Sequence, residues 1–260
     1  MKTCNYNDIA QILYEAERNK QEITRITLEY PDLTIEEAYE IQERLVSLKK
    51  KAHTRVFGPK MGLTSRAKME QMNVKDPIYG YILDHMVHEN NKTIPIEEFI
   101  HPKVEAEIAF ILENDIEGPG ITGAQVLANT KYVVGALEII DSRYENFQFT
   151  LPDVIADNAS SSKVVLGDKI INAKELELDL VGVTLSINGN IVEMGAGAAV
   201  LSHPANSVAT LANMLARKGG KLNKGEIILT GGITSAVMIN RGDYVSAKFD
   251  GIGEVNFKMK

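Results

Sequence analysis

KVEAEIAFIL (residues 103–112) and YVVGALEII (residues 132–140) decide how this chain is read. Both are short apolar runs with the character of buried β-strands. Each holds a residue type that a buried strand accommodates only for a reason: Glu105 and Glu107 in the first run, Glu138 in the second. Side chains two positions apart on a strand point to one face, so Glu105 and Glu107 lie roughly 7 Å apart along the chain. Like charges that close repel unless a cation or proton sits between them. Three inward carboxylates make a donor set for a hard divalent cation, with coordination positions left for an oxygen-rich substrate. Two edge-strand glutamates facing solvent, plus an unrelated third, would produce the same pattern, because ExE on a strand is a weak signal.

Working outward, the first 55 residues or so have helical spacing. Ile9, Ile12, Leu13 and Ala16 share one face, and Thr34-Ile-Glu-Glu37 has the form of a capping box opening a second helix. Ile35, Ala38, Ile41, Leu45 and Leu48 form the stripe of that helix, and Lys49, Lys50 and Lys51 mark a solvated end. The character changes near Thr54. RVFGPKMGLTS is expected to be extended, Ser65 to cap a short helix through Met72, and Asp76-Pro77 with Tyr79-Gly80 to mark a loop. Strands are expected at 103–112, 131–140, 179–187, 191–194, 226–230 and 244–249. Asn188-Gly189 and Asp250-Gly251 serve as hairpin turns. One helix interrupts them, from about Pro204 to Gly219-Gly220. The division is a helical N-terminal region (1–55) followed by a mixed, mostly antiparallel β body (56–260), an α+β fold.

The bulk properties are those of an ordinary globular protein with a full core: 260 residues, 44% hydrophobic and 24% charged. A formal net charge of -7 argues against a nucleic-acid partner. The single cysteine, Cys4, excludes an intrachain disulfide and fits a reducing cytoplasm. No apolar stretch has transmembrane length, and the N-terminus has no signal-peptide apolar segment.

Other segments carry chemistry-bearing residues. Lys60 lies among small and apolar residues in GPKMGLT (58–64), where burial would favour its neutral form and make it an acid or base. A solvent-seeking lysine is the plainer reading. Asp157-Asn158-Ala-Ser-Ser-Ser162 follows a polar stretch and reads as a functional loop or a surface turn rich in local hydrogen bonds. Thr230-Gly231-Gly232-Ile-Thr234 follows the strand EIIL, and glycines there bring N–H groups close to an anion. It lacks the GK[ST] ending of a Walker loop and is not GxGxxG, and a simple strand-ending turn explains it about as well. The five histidines show no metal-ligand spacing.

The order of these pieces resembles the fumarylacetoacetate hydrolase superfamily, and within it the branch of 2-hydroxypentadienoate hydratases and 4-oxalocrotonate decarboxylases. The matching segments are KMGLTSRAKMEQMNVKDPIYG, KVEAEIAF, ALEIIDSR, IADNASS, GAGAAVLSHPANSVATLAN and LTGGIT, across residues 35 to 240. The resemblance implies a distorted β-roll or barrel-like body with a helical N-terminal region. It implies Mg²⁺ or Mn²⁺ held by Glu105, Glu107 and Glu138, with Lys60 beside the metal. Asp157 falls at a loop near the substrate, where it would orient a proton or a water. Leu63, Thr64, Ser160, Thr230 and Gly231 fall at substrate-binding positions, the Thr230-Gly231 turn receiving a carboxylate.

The implied activity is metal-dependent decarboxylation of 4-oxalocrotonate, a 2-oxo dicarboxylic acid, in the meta-cleavage breakdown of aromatic compounds. KMGLTSRAKMEQM and LTGGIT favour it. Hydration of 2-hydroxypenta-2,4-dienoate and a non-catalytic partner subunit stay open beside it. The resemblance further implies a homo-oligomer and a complex with the pathway hydratase. Arg143, just beyond Glu138, is the guess for the distal carboxylate, with a surface ion pair as its rival.

Overall fold

The structure is a computed structural model that describes residues 5–51, 55–65, 69–70, 74 and 76–260. Cys4, the change of character at Thr54 and most of the helix expected between Ser65 and Met72 lie outside the described residues. Two helices open the chain, α1 (Tyr6–Asn19) and α2 (Ile35–Lys51). The capping box forms: Glu37 N donates to Thr34 Oγ1 and Thr34 N to Glu37 Oε2. Ile9, Leu13 and Ala16 are buried on α1, and Ala38, Ile41 and Leu45 on α2. Ile12 and Ile35 instead face solvent. Lys49 is the larger departure from expectation. It is buried, and its ammonium pairs with Glu17 across the α1–α2 contact.

The body consists of two sheets. The larger runs β2 (Ile78–Leu83), β1 (Val56–Gly62), β10 (Ile227–Leu229), β5 (Lys103–Leu112), β6 (Thr130–Ile140), β7 (Ser161–Asn172) and β3 (Val87–Glu89). The short β11 (Val237–Met238) also pairs with β5. The smaller sheet runs β4 (Lys92–Ile94), β13 (Gly253–Met259), β12 (Tyr244–Phe249), β8 (Gly182–Ile187) and β9 (Asn190–Ala196). Both expected hairpin turns are present, with Asn188, Gly189 and Gly251 at positive φ. Most pairings are antiparallel, while β1–β10, β3–β7 and β4–β13 are parallel. The sheets meet face to face where Gly135 faces Phe249; a Cβ on Gly135 would lie 2.8 Å from that ring. The mixed architecture is that of the expected β-roll.

Besides the helical residues 69–70, three helices among the described residues lie between the strands: α3 (Gly123–Asn129), α4 (Leu151–Ala156) and α5 (Pro204–Ala216). Only α5 was legible in advance, because α3 and α4 are too short to show a period. Residues from α1, α2 and both sheets share one apolar core, from Ile9 and Leu45 to Phe110 and Phe257. No helix among the described residues is long and apolar enough to cross a membrane.

Two segments differ from the sequence expectation. Tyr79-Gly80 lies inside β2, not in a loop, because antiparallel pairing with β1 satisfies its backbone. Asp157–Ser162 is neither a long loop nor a surface turn. Residues 157–160 are a buried link between α4 and β7, and Ser161 and Ser162 open that strand.

Candidate metal and 2-oxoacid site

The register of β5 against β6 assembles the carboxylates. Glu105 lies opposite Glu138 across the antiparallel pair, and Glu107 lies opposite Ala136. Glu105 and Glu107 share a face through the pleat, and the facing strand adds Glu138 to it. One oxygen from each lies within 4.8 Å of the others, and all three residues are buried. Buried Glu107 Oε1 and Glu138 Oε1 have no hydrogen-bond partner. Such orphaned anionic oxygens are costly unless a cation receives them. The donor set is all oxygen, and it fits a hard divalent cation.

Lys60 comes from β1. Its ammonium is buried, 3.0 Å from Glu138 Oε2, and donates to the carbonyl of Ala159 at 3.2 Å. Burial alone would push its pKa down, as the sequence suggests. Glu138, Glu107 and Glu105 outweigh burial and hold it above the usual lysine value, so Lys60 is a cation and not a neutral amine. Burial, reinforced by the neighbouring carboxylates, raises Glu107 well above the usual range; Glu138 is also raised by burial, with Lys60 pulling against it.

The glycine turn after β10 closes one side. Gly231 N donates to Glu107 Oε2 at 2.7 Å. Thr230 Oγ1 donates to Ile108 O, and Ser207 Oγ on α5 donates to Thr230 O. The Thr230 hydroxyl and the Gly231 N–H thus hold the strand and Glu107. Gly231 has φ +102, and a Cβ there would sit 2.1 Å from Thr64 Oγ1. A Cβ on Gly232 would sit 2.2 Å from Glu105 Oε2. Thr64 therefore abuts the turn, and its carbonyl receives Leu201 N at 3.1 Å. Leu63 beside it is left-handed at φ 55. We expect Gly232→Ala to weaken divalent-cation affinity about 10- to 100-fold by displacing Glu105, as loss of a ligand's orienting partner does. Calorimetric titration with Mg²⁺ checks this, and wild-type affinity in a folded variant would refute it.

Opposite the turn lies Asn158-Ala159-Ser160. All three residues are left-handed, with φ 51, 52 and 56. At Ala159 and Ser160 this costs roughly 1–2 kcal/mol each, and such strain persists only where surroundings enforce it. Asn158 clamps Tyr81 of β2, accepting from its N at 2.8 Å and donating to its O at 2.9 Å. The Ser160 hydroxyl is buried and has no partner.

Asp157 is buried, with both carboxylate oxygens engaged by Arg143: Oδ1 by the guanidinium Nε and Oδ2 by the backbone N at 3.1 Å. Burial pushes the Asp157 carboxyl up to about 6, with Arg143 pulling it down. Burial also works against the Arg143 charge, but Asp157, Glu17 and Asp141 hold the guanidinium above its normal range. Both groups are therefore charged at neutral pH. Arg143 is itself buried, which overturns the surface ion pair, and its guanidinium is filled by Asp157, Asp141 O and Ser161 O. The structure thus brings Glu105, Glu107, Glu138, Lys60, Thr64 and Gly231 together, with Ser160 next to the Lys60 acceptor. The Asp157 carboxylate is turned onto Arg143. Ala159 and Gly232 were missed; the doubled glycine was the available signal for the second, and a carbonyl acceptor leaves none.

Comparison with known proteins agrees with this geometry. The family model described as Fumarylacetoacetate (FAA) hydrolase C-terminal matches residues 52–260. The 4-oxalocrotonate decarboxylase of Pseudomonas sp. (strain CF600) is 44% identical over 251 residues, 96% of this chain and 95% of that protein. The 2-oxo-hept-4-ene-1,7-dioate hydratase of Escherichia coli is 39% identical over 257 residues, covering 96% of each. The solved structure of 4-oxalocrotonate decarboxylase from Pseudomonas putida G7, complexed with magnesium and adipate, matches with a TM-score of 0.97 at 40% identity, covering 100% of both chains. With its three carboxylates on paired strands and a match over most of its length, this chain belongs to the fumarylacetoacetate hydrolase family.

Proposed function

We propose that the protein is a Mg²⁺-dependent decarboxylase of (3E)-2-oxohex-3-enedioate, releasing CO₂ and 2-hydroxypenta-2,4-dienoate in the meta-cleavage breakdown of aromatic compounds. The observation that carries this reading is the buried Glu105/Glu107/Glu138 set with Lys60 against it. The likeness to a decarboxylase whose structure holds magnesium and adipate, a six-carbon dicarboxylate like the proposed substrate, supports it. Mn²⁺ would satisfy the same oxygen donors. A bound divalent cation supplies Lewis acidity toward a 2-oxo group and its adjacent carboxylate.

The chain's own residues have separate tasks. Glu105, Glu107 and Glu138 hold the cation and fix the side from which the 2-oxoacid enters. The C5–C6 bond breaks and the distal carboxylate leaves as CO₂. Its electron pair forms C4=C5, the former C3=C4 pair forms C2=C3, and the 2-oxo oxygen takes the charge. The Lys60 ammonium places positive charge beside that oxygen and has a proton to give it. Thr64 and Leu63 line the approach, and the free Ser160 hydroxyl offers a hydrogen bond to the substrate. Asp157 shapes the wall behind Ser160.

Hydration of 2-hydroxypenta-2,4-dienoate is the second reading, favoured by the 39% identical hydratase. Incubation with Mg²⁺ and 4-oxalocrotonate is expected to release one CO₂ per substrate. Loss of the conjugated absorbance of 2-hydroxypentadienoate, with no CO₂ from the first compound, would replace decarboxylation by hydration. Assembly into a homo-oligomer and association with the pathway hydratase belong to the same proposal.

A further inference from the structure

Among the described residues the Lys60 ammonium contacts Glu138 and one further group, which has no chemistry of its own. It is the Ala159 carbonyl, 3.2 Å from the ammonium, in the middle of three consecutive left-handed residues. No glycine eases that turn, so its shape must be imposed from outside. On one side Asn158 is bonded twice to Tyr81, next to Gly80 of β2, which pairs with Lys60. A Cβ on Gly80 would approach the Asn158 carbonyl to 2.6 Å, so the turn rests directly on the strand that flanks Lys60.

On the other side is a buried polar knot. Arg143 Nε and N hold the Asp157 carboxylate, and its terminal nitrogens reach the carbonyls of Asp157, Asp141 and Ser161. These carbonyls bracket the turn at both ends. Ser160 N returns to Asp157 O at 3.0 Å, and Asp141 N donates to Ser160 O at 2.9 Å. The knot extends to the N-terminal helices: Glu17 of α1 lies 3.9 Å from Arg143 Nη1 and pairs with Lys49 of α2.

We propose that Arg143 and Asp157 are positioning residues for Lys60: their buried ion pair enforces the left-handed Asn158–Ser160 turn, whose Ala159 carbonyl, with Glu138, fixes the Lys60 ammonium over the carboxylate cluster. Arg143 then acts on the reaction through a main-chain atom, not by contact with a substrate carboxylate. This rests on the reading that Lys60 takes part in turnover.

The test is a double-mutant cycle on the Mg²⁺-loaded protein, with CO₂ release followed in single turnovers. Asp157→Asn and Asn158→Ala are each made alone and in a Lys60→Met background. In the wild-type background each is expected to lower kcat about 10- to 100-fold, as loss of alignment does, with KM changed less than about threefold. On top of Lys60→Met, either adds less than about twofold, since what it positions is gone. A structural role alone would give the same loss in both backgrounds, and that result overturns the proposal. Amide hydrogen exchange in the metal-free protein gives a second readout. Protection at residues 158–161 is expected to fall in both variants while that of β5 holds, and unchanged protection of the turn overturns the proposal. Arg143→Lys, which keeps a cation but not the reach of the guanidinium to Asp157 and the flanking carbonyls, carries the test with the same expected losses if Asp157→Asn fails to fold. A wild-type protein that releases no CO₂ would sink the decarboxylase reading alone, because the exchange experiment does not depend on turnover.

Discussion

Glu107→Gln is expected to abolish Mg²⁺ binding and the proposed CO₂ release together while the protein stays folded. Glu107 is fully buried at the centre of β5, with one oxygen on Gly231 N and the other orphaned. The amide keeps the shape and can still accept from Gly231, but it removes one of three anionic donors. A cation supplying several kcal/mol of charge stabilisation translates into a loss on the order of 10³-fold in kcat/KM. Stability of the metal-free protein moves the other way. Burial and its neighbours raise the Glu107 carboxyl well above its usual range. A carboxyl raised on folding favours the fold below its unfolded pKa and loses that contribution as pH rises through the folded value. Above its unfolded pKa, burial of this carboxyl therefore costs stability in the metal-free protein, and Gln removes the cost. Without metal the variant should melt at or above the wild-type temperature, and adding Mg²⁺ should no longer shift it. Calorimetric titration and thermal melts with and without Mg²⁺ check this. Intact Mg²⁺ affinity would remove Glu107 from the ligand set.

Arg143→Met should destabilise the fold by about 3–5 kcal/mol, the usual cost of leaving one member of a buried ion pair alone. The guanidinium is among the largest fully buried groups in the molecule. Its removal strands the Asp157 carboxylate and the carbonyls of Asp141 and Ser161. Methionine fills much of the volume, so the deficit is polar and not a cavity. For a chain of this size that corresponds to a fall in Tm of roughly 10 °C. Combining it with Asp157→Leu should recover a substantial part, because an apolar pair of similar volume carries no desolvation penalty. Urea denaturation of the three proteins measures both effects. A single variant as stable as wild type would show that Arg143 bears no part of the fold.

Much of the site was legible because strand chemistry is local. Charged residues inside the apolar runs 103–112 and 132–140 stand out, and the pleat dictates that Glu105 and Glu107 share a face. Helix α2 was legible through its cap, and α5 through its early proline and closing glycines. What was hidden depended on partners distant in sequence. Strand β2 looked like a loop because its Gly80 answers to Asn158, far along the chain. The serine-rich link looked like a loop or surface turn because the partners of its Ser161 carbonyl and Asn158 amide, Arg143 and Tyr81, are not its sequence neighbours.

Residue order alone determined the donor chemistry on offer: three carboxylates in apolar strand-like runs, one lysine among small residues, and a glycine pair after a strand, together a candidate divalent-cation site. Tertiary structure decided how they act. The β5–β6 register set Glu138 opposite Glu105. The carboxylate cluster overrode burial and kept Lys60 charged. Arg143 took the carboxylate of Asp157 and left an Ala159 carbonyl facing Lys60. The physical reason is common to all three. Which groups are inward follows from periodicity along one segment, whereas charge state and hydrogen-bond partner depend on the field and atoms of segments that only folding brings within reach.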